Sequence, residues 1–326
     1  MNLNSIKKLK KGELHVHLNG LVSTEVIKML IRHEHCDIPN DFDLNTDLTI
    51  LKPANSLIEY LKPWQVLRLI PNNRESLKLI VKSAFINLKA DNVDFVEIRN
   101  SVIYIALLNK ITVKEALLWL ITEIEDASYR YDIKAGLILT VSRGDYALEH
   151  LRALLKAYKY LGLHKCIVGL DLAGNEDIDS PKGTGQLFQK AKADFGLNVT
   201  IHAGETGNCE NIKKAIIDFG ADRIGHGTAA SKSNEVMDLL KERNICLEIC
   251  PISNRLTKAV AEHEHHPVKD FIDNDIPFVI CSDNPAIHSS SLSFDYYEFL
   301  LETKNTLYLS NMYSNQKKYS FLKGLS

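Results

Sequence analysis

Short apolar runs recur along this chain, and most are followed by a stretch whose apolar positions repeat with helical spacing. The runs are Leu14–Leu18, Val93–Ile98, Ala135–Val141, Cys166–Leu172, Asn198–Ala203, Arg223–Gly225, Ile245–Cys250 and Pro277–Cys281. Helical periodicity begins at Ser23 after the first run. It returns over Thr112 to about Tyr131, Tyr146–Leu161, Gly185–Phe195, Cys209–Phe219, Asn234–Arg243, Val268–Asp273 and about Phe294–Thr303. Apolar strands separated by helices argue for a parallel sheet covered on both sides. Eight such units predict a closed (β/α)8 barrel, the TIM-barrel architecture, formed by residues 1–326 as one domain. An open doubly wound sheet would carry a glycine-rich turn after its first strand, and Gly20 alone does not make one.

The rhythm is interrupted once, between the first and second runs. Cys36 to Lys52 is polar and aperiodic and reads as a loop lying over the strand ends. About Asn55–Ile70 and Ser76–Ala90 read as helices split by Pro71-Asn72-Asn73, so residues from about 36 to 90 form a loop and helical insertion. Leu57, Leu61 and Trp64 share one face of the first of these helices, which favours core packing over pocket lining. Residues 1–11 end in Lys7-Lys8-Leu9-Lys10-Lys11 and read as a solvated basic lead-in.

Composition narrows the class without changing the architecture. The hydrophobic share of 45% and charged share of 25% are ordinary for a soluble globular protein. A formal net charge of -2 gives no reason to expect nucleic acid as a partner. No apolar stretch is long enough for a signal peptide or a membrane span. The six cysteines are scattered with no C-x-x-C pair, as expected of reduced thiols in a cytoplasmic protein.

Candidate chemistry gathers at strand ends. His15 and His17 stand at i and i+2 of the first strand, so both point to one face. His202 ends the fifth strand in Ile201-His202-Ala203-Gly204-Glu205. His226 ends the sixth in Arg223-Ile224-Gly225-His226-Gly227, and Asp283 follows the eighth in Ile280-Cys281-Ser282-Asp283-Asn284-Pro285. In a closed parallel barrel the C-terminal strand ends share one mouth, so these segments should converge. Three imidazoles and a carboxylate suit zinc with one position left for water. Iron, nickel and cobalt accept imidazole as well. Taken singly, Glu205 reads as a first-turn helix glutamate, His226 as a turn residue and Gly174 as the end of a strand. The other histidines (His33, His35, His150, His164, His263, His265, His266 and His288) lack such placement and read as surface residues.

Glu13-Leu14-His15-Val16-His17-Leu18, Asp171-Leu172-Ala173-Gly174, His202-Ala203-Gly204-Glu205, Arg223-Ile224-Gly225-His226-Gly227 and Ser282-Asp283-Asn284-Pro285 cover nearly the whole chain. In identity and order they resemble the adenosine deaminase family of metal-dependent aminohydrolases. The resemblance implies that His15, His17, His202 and Asp283 bind one zinc ion per chain. It also implies that Glu205 protonates the purine at N1, and that His226 and Asp283 orient the attacking water and take up its proton. Gly174 would meet ring N3 through its backbone, Asn284 would donate to N7, and His17 and Asn19 would complete the substrate contacts. The implied reaction converts adenosine or 2′-deoxyadenosine to the inosine form with release of ammonia. The implied partner is a small purine nucleoside, with no nucleic acid or membrane involved. The oligomeric state is left open.

Two positions depart from the family pattern. Asn19 replaces an aspartate that holds the ribose 5′-hydroxyl; an amide still bonds that hydroxyl and removes a charge that would repel a phosphate. N6-methyl-AMP or 5′-methylthioadenosine is therefore an alternative substrate. Asn284 replaces an aspartate at N7, where either group donates. Zinc deaminases with H-x-E and P-C-x-x-C ligands are a poor match, since neither pattern occurs. A non-catalytic nucleoside-binding protein would be expected to lack Glu205 or a ligand, and none is missing.

Overall fold

In the computed structural model, which describes residues 1–325 and only the backbone of Leu57 and Ile58, eight parallel strands follow one another around a sheet in chain order. They are β1 (Lys11–His17), β2 (Val93–Asn100), β3 (Lys134–Ser142), β4 (Ile167–Ala173), β5 (Asn198–Ala203), β6 (Arg223–His226), β7 (Cys246–Ile249) and β8 (Phe278–Ile280). Each pairs in parallel with the next. The β8–β1 seam is closed just beyond β8. Val16 bridges Asp283, the His17 N–H donates to the Asp283 carbonyl at 2.9 Å, and the Asp283 N–H donates to the His15 carbonyl at 2.9 Å. The expected barrel is therefore present, and one of its expected site residues forms the closing contact.

The helices pack their apolar stripes against the sheet. Arg74–Ala90 buries Leu77, Ile80, Val81, Ala84, Phe85 and Leu88, positions three and four apart on one face. Val113–Tyr131 starts where the Thr112 hydroxyl accepts the Glu115 N–H at 3.2 Å. Among the described residues no helix is long and apolar enough to cross a membrane.

Three local expectations need correction. The stretch from Asn55 to Ile70 is not one helix but two single turns, Leu57–Tyr60 and Trp64–Leu67. Pro63 has no N–H for the carbonyl of Glu59, so the helix breaks there. Leu61 is consequently 39% exposed while Trp64 packs on the core; the Leu57 side chain lies outside the described residues. The basic lead-in is only partly solvated. Ile6 is buried in a turn of helix, and the Lys11 ammonium is buried with bonds to the Leu9 carbonyl at 2.9 Å and the Asp91 carbonyl at 2.7 Å. Helices at Val102–Asn109, Pro251–Leu256 and Thr306–Tyr319 were not expected from the sequence. The first is apolar nearly all round, so periodicity does not mark it.

The barrel interior below the mouth is polar. Glu97, Arg99, Asp171, Arg223 and Glu248 are all almost fully buried. Arg223 Nε donates to Glu248 Oε1 at 2.7 Å and its Nη2 to Glu97 Oε2 at 2.5 Å, while Arg99 bonds the other oxygen of Glu248. The C-terminal segment closes the opposite end of the barrel. Glu97 Oε1 accepts the Phe321 N–H at 2.5 Å and the Ser320 hydroxyl at 2.6 Å, and the Phe321 ring lies 3.6 Å from the Arg223 guanidinium carbon. Breaking one member of such a buried network strands its partner's charge. Glu97→Ala is expected to cost about 3–5 kcal/mol in chemical denaturation. Asp194→Ala, which removes the exposed Lys190–Asp194 pair, should change stability by less than about 1 kcal/mol.

Candidate functional site

The i, i+2 spacing of β1 sends Glu13, His15 and His17 to the barrel interior, and the register sets their neighbours. His17 pairs with Arg99 of β2, while His202 of β5 pairs with Gly225 and Ala203 with His226 of β6. A Cβ at Gly225 would lie 2.8 Å from His15 Cε1, so glycine at that position lets the imidazole pass β6. His226 and Asp283 have φ of 63° and 60°, left-handed values that non-glycine residues adopt at some cost. Both residues turn out of their strands at the mouth.

The expected ligands meet there. Donor atoms of His15, His202, His226 and Asp283 all lie within 4.8 Å of one another. His17 Nε2 stands 3.2 Å from His202 Nε2 and 3.4 Å from Asp283 Oδ1. Two nitrogens each about 2.0–2.1 Å from one zinc ion would stand a little over about 3 Å apart, so the spacing fits a shared cation. His15 Nε2 is buried with no hydrogen-bond partner, an orphaned donor atom that a cation would satisfy.

A second layer sets the tautomers. His15 Nδ1 lies 2.8 Å from Glu248 Oε2, and His202 Nδ1 lies 2.9 Å from Asp171 Oδ1. Burial opposes charge on Glu248, but Arg99 and Arg223 hold its carboxyl well below the usual range. Asp171 is likewise held down against its burial by His202 and Arg99. Both carboxylates therefore accept, both histidines donate from Nδ1, and both Nε2 lone pairs are left for a metal. Burial also lowers His15, and lowers His17 and His202 to about 4, so the imidazoles are neutral at neutral pH, as ligation requires.

Glu205 stands at the rim with its side chain 26% exposed and Oε1 3.8 Å from His226 Nε2. Desolvation raises its carboxyl above the ordinary range. Gly174 is exposed with φ of 94°, so within this structure its need for glycine is conformational. Asn284 is buried with Oδ1 unpartnered. Asn19 donates from Nδ2 to the Leu67 carbonyl at 3.3 Å, which ties the end of β1 to the insertion. The insertion does reach over the mouth: the Ile50 N–H bonds the Ile287 carbonyl and the Ala54 N–H bonds the Leu256 carbonyl, at 2.8 and 2.9 Å.

Several residues of this site are absent from the sequence reading. Ser253 donates to Asp283 Oδ2 at 2.6 Å, and the Tyr60 hydroxyl, from the insertion, lies 3.4 Å from the same oxygen and 3.1 Å from His288 Nε2. His288 and His266 are buried, contrary to the surface expectation, and burial lowers them to about 4 and about 3. Glu176 accepts the Gly204 N–H at 2.5 Å and the Thr206 N–H as well, so it clamps the backbone on both sides of Glu205. Arg143 donates to the carbonyls of Gly174 at 3.2 Å and His202 at 2.5 Å. Only Glu248 carried a signal, as a charged residue inside an otherwise apolar strand. The others depend on contacts distant in sequence.

The family model described as adenosine deaminase matches residues 10–322. The adenosine deaminase of Clostridium botulinum (strain 657 / Type Ba4) is 32% identical over 316 residues, which cover 94% of this chain and 94% of that protein. Among solved structures, an amidohydrolase from Burkholderia ambifaria with bound Zn superposes with a TM-score of 0.85 at 20% identity, covering 98% of this chain and 87% of that one. The Arabidopsis N6-mAMP deaminase superposes with a TM-score of 0.78 at 24% identity, covering 98% and 95%. At these identities the two structures share the barrel fold with this chain.

The carboxylate behind His202 gives a test of the cation site. Asp171→Asn is expected to weaken divalent-metal binding about 10–100-fold in chelator competition, with the circular dichroism spectrum retained. Unchanged affinity would remove Asp171 from any part in holding the ligand.

Proposed function

The chain belongs to the adenosine deaminase family, and from that premise we propose that it hydrolyses adenosine and 2′-deoxyadenosine to their inosine forms and ammonia with one zinc ion. As a member of that family it is a hydrolytic deaminase of purines. The observation that carries the finer reading is the meeting of His15, His17, His202 and Asp283 within reach of Glu205 and His226. In this reading the three histidines and Asp283 hold the ion, which supplies Lewis-acid chemistry and brings the pKa of a bound water to about 7.

The chain's own groups supply the rest. An aromatic C6 resists attack until the ring gains a proton at N1, so a carboxylic acid has to stand beside that nitrogen. Glu205 fits, because burial favours its neutral form. Its place on a clamped turn fixes the direction of proton delivery. Asp283 and His226 orient the attacking water, whose proton passes to their side of the site. Asn284, buried at the mouth, would donate its side-chain amide to N7, and Gly174 would approach N3 through its backbone.

Asn19 supports a second reading, a 5′-phosphorylated or 5′-modified substrate such as N6-methyl-AMP or 5′-methylthioadenosine. Its neutral amide does not repel a phosphate, and the Arabidopsis structure is that of an N6-mAMP deaminase. Adenosine is favoured because the full-length relative at 32% identity is an adenosine deaminase.

A panel of adenosine, 2′-deoxyadenosine, AMP, N6-methyl-AMP and 5′-methylthioadenosine, followed by loss of adenine absorbance, separates the two. The highest kcat/KM is expected for the free nucleosides, and a preference for the phosphorylated compounds overturns the adenosine assignment. Glu205→Gln should keep its metal and lose about 10²–10⁴-fold in kcat; full activity in that variant would end the acid role. Because the acid form of Glu205 is the active one, kcat/KM should fall as pH rises through its elevated pKa.

A further inference from the structure

His226 has a hydrogen-bond environment that fixes which of its ring nitrogens carries the proton. The assignment starts from a backbone amide, which can only donate. The Val268 N–H points at His266 Nδ1 at 3.4 Å, so Nδ1 accepts and the proton of the neutral His266 ring is on Nε2. His266 Nε2 lies 3.2 Å from Asn254 Oδ1, which therefore receives that proton. With its oxygen facing His266, Asn254 presents its amide nitrogen to His226 Nδ1 at 3.0 Å. The amide donates, so His226 Nδ1 is an acceptor. The reverse amide orientation would set the Asn254 NH2 against the Nε2–H of His266, two donors face to face. His266 and Asn254 are both buried, where two donors set face to face are costly.

We propose that His266 and Asn254 are positioning residues that hold His226 in its Nε2–H tautomer, so that His226 donates to the reacting oxygen and Asp283 alone accepts the water's proton. Burial keeps His266 neutral, which is consistent with its acceptor Nδ1. The inference takes its kinetic consequence from the deaminase reading, while the tautomer itself does not depend on it. The proton account then closes. As the water oxygen bonds C6, its proton passes to the Asp283 carboxylate and the Glu205 proton passes to N1. Asp283 returns its proton to the amine as the C6–N bond breaks. The C6 hydroxyl gives its proton to Glu205, which leaves a carbonyl at C6 and a proton on N1. Throughout, the His226 N–H faces the oxygen on which charge develops, where one fixed donor is worth about 10²–10³-fold.

The direct test is long-range proton–nitrogen NMR on the metal-loaded enzyme with 15N-labelled histidine, using His226→Gln to assign the resonances. The expected pattern is an unprotonated Nδ1 and a protonated Nε2 on His226; the inverse pattern overturns the proposal and leaves the deaminase reading intact. Asn254→Asp keeps the shape of the side chain but can only accept, so it should move the proton to Nδ1. A kcat loss of about 10–100-fold is expected, with KM and metal content little changed. An unchanged kcat sinks the proposal. Should that variant not fold, His266→Gln, which still donates to Asn254, is expected to stay within about threefold of the parent kcat, and His266→Leu to lose about tenfold or more. Equal losses in the two overturn the relay.

Discussion

Two arginines buried inside the barrel decide the charge state of the carboxylates behind His15 and His202. An isolated carboxylate in a protein interior normally takes up a proton rather than pay several kcal/mol of desolvation. Glu13 shows that behaviour: with no arginine against it, burial pushes its carboxyl up to about 8. Glu248, equally buried, goes the other way because Arg99 and Arg223 grip both of its oxygens. Being ionised, it accepts the hydrogen bond from the Nδ1–H of His15 and leaves the Nε2 lone pair toward the mouth. Asp171 does the same for His202, with Arg99 3.4 Å away. The histidines at the mouth are thus oriented from below by ion pairs, and those pairs are completed at the far end of the barrel by the C-terminal segment.

The mouth is held from the sides by a different means. Asp283 has one carboxylate oxygen toward the histidines, while the other is taken by Ser253 and approached by Tyr60. Its backbone closes the seam between β8 and β1, and its left-handed conformation is tolerated because two backbone bonds fix it there. Glu205 is held by main-chain bonds on either side, both to Glu176. The groups that would move protons are therefore less mobile than their rim positions suggest. The insertion takes part as well, since Tyr60 brings its hydroxyl from outside the repeating β/α units to the Asp283 carboxylate.

Much of this was determined by the sequence alone. Eight apolar runs with helical intervals specify the barrel because periodicity is a local property, read within a dozen residues. The meeting of the candidate residues followed from it, since a parallel barrel brings every C-terminal strand end to one face; His15, His17, His202, His226 and Asp283 meet there as expected. What periodicity could not supply was the break at Pro63, the all-apolar helix Val102–Asn109, and the burial of Lys11, His266 and His288. The first two have local causes that periodicity does not register, whereas the burial of Lys11, His266 and His288 rests on contacts with other segments. His266 is 12 residues from Asn254 and Asn254 is 28 from His226, and the proton on His226 depends on both. Residue types and spacing placed the candidate residues at one mouth; only the tertiary structure could decide tautomer and charge, because both are set by what lies across the barrel rather than along the chain.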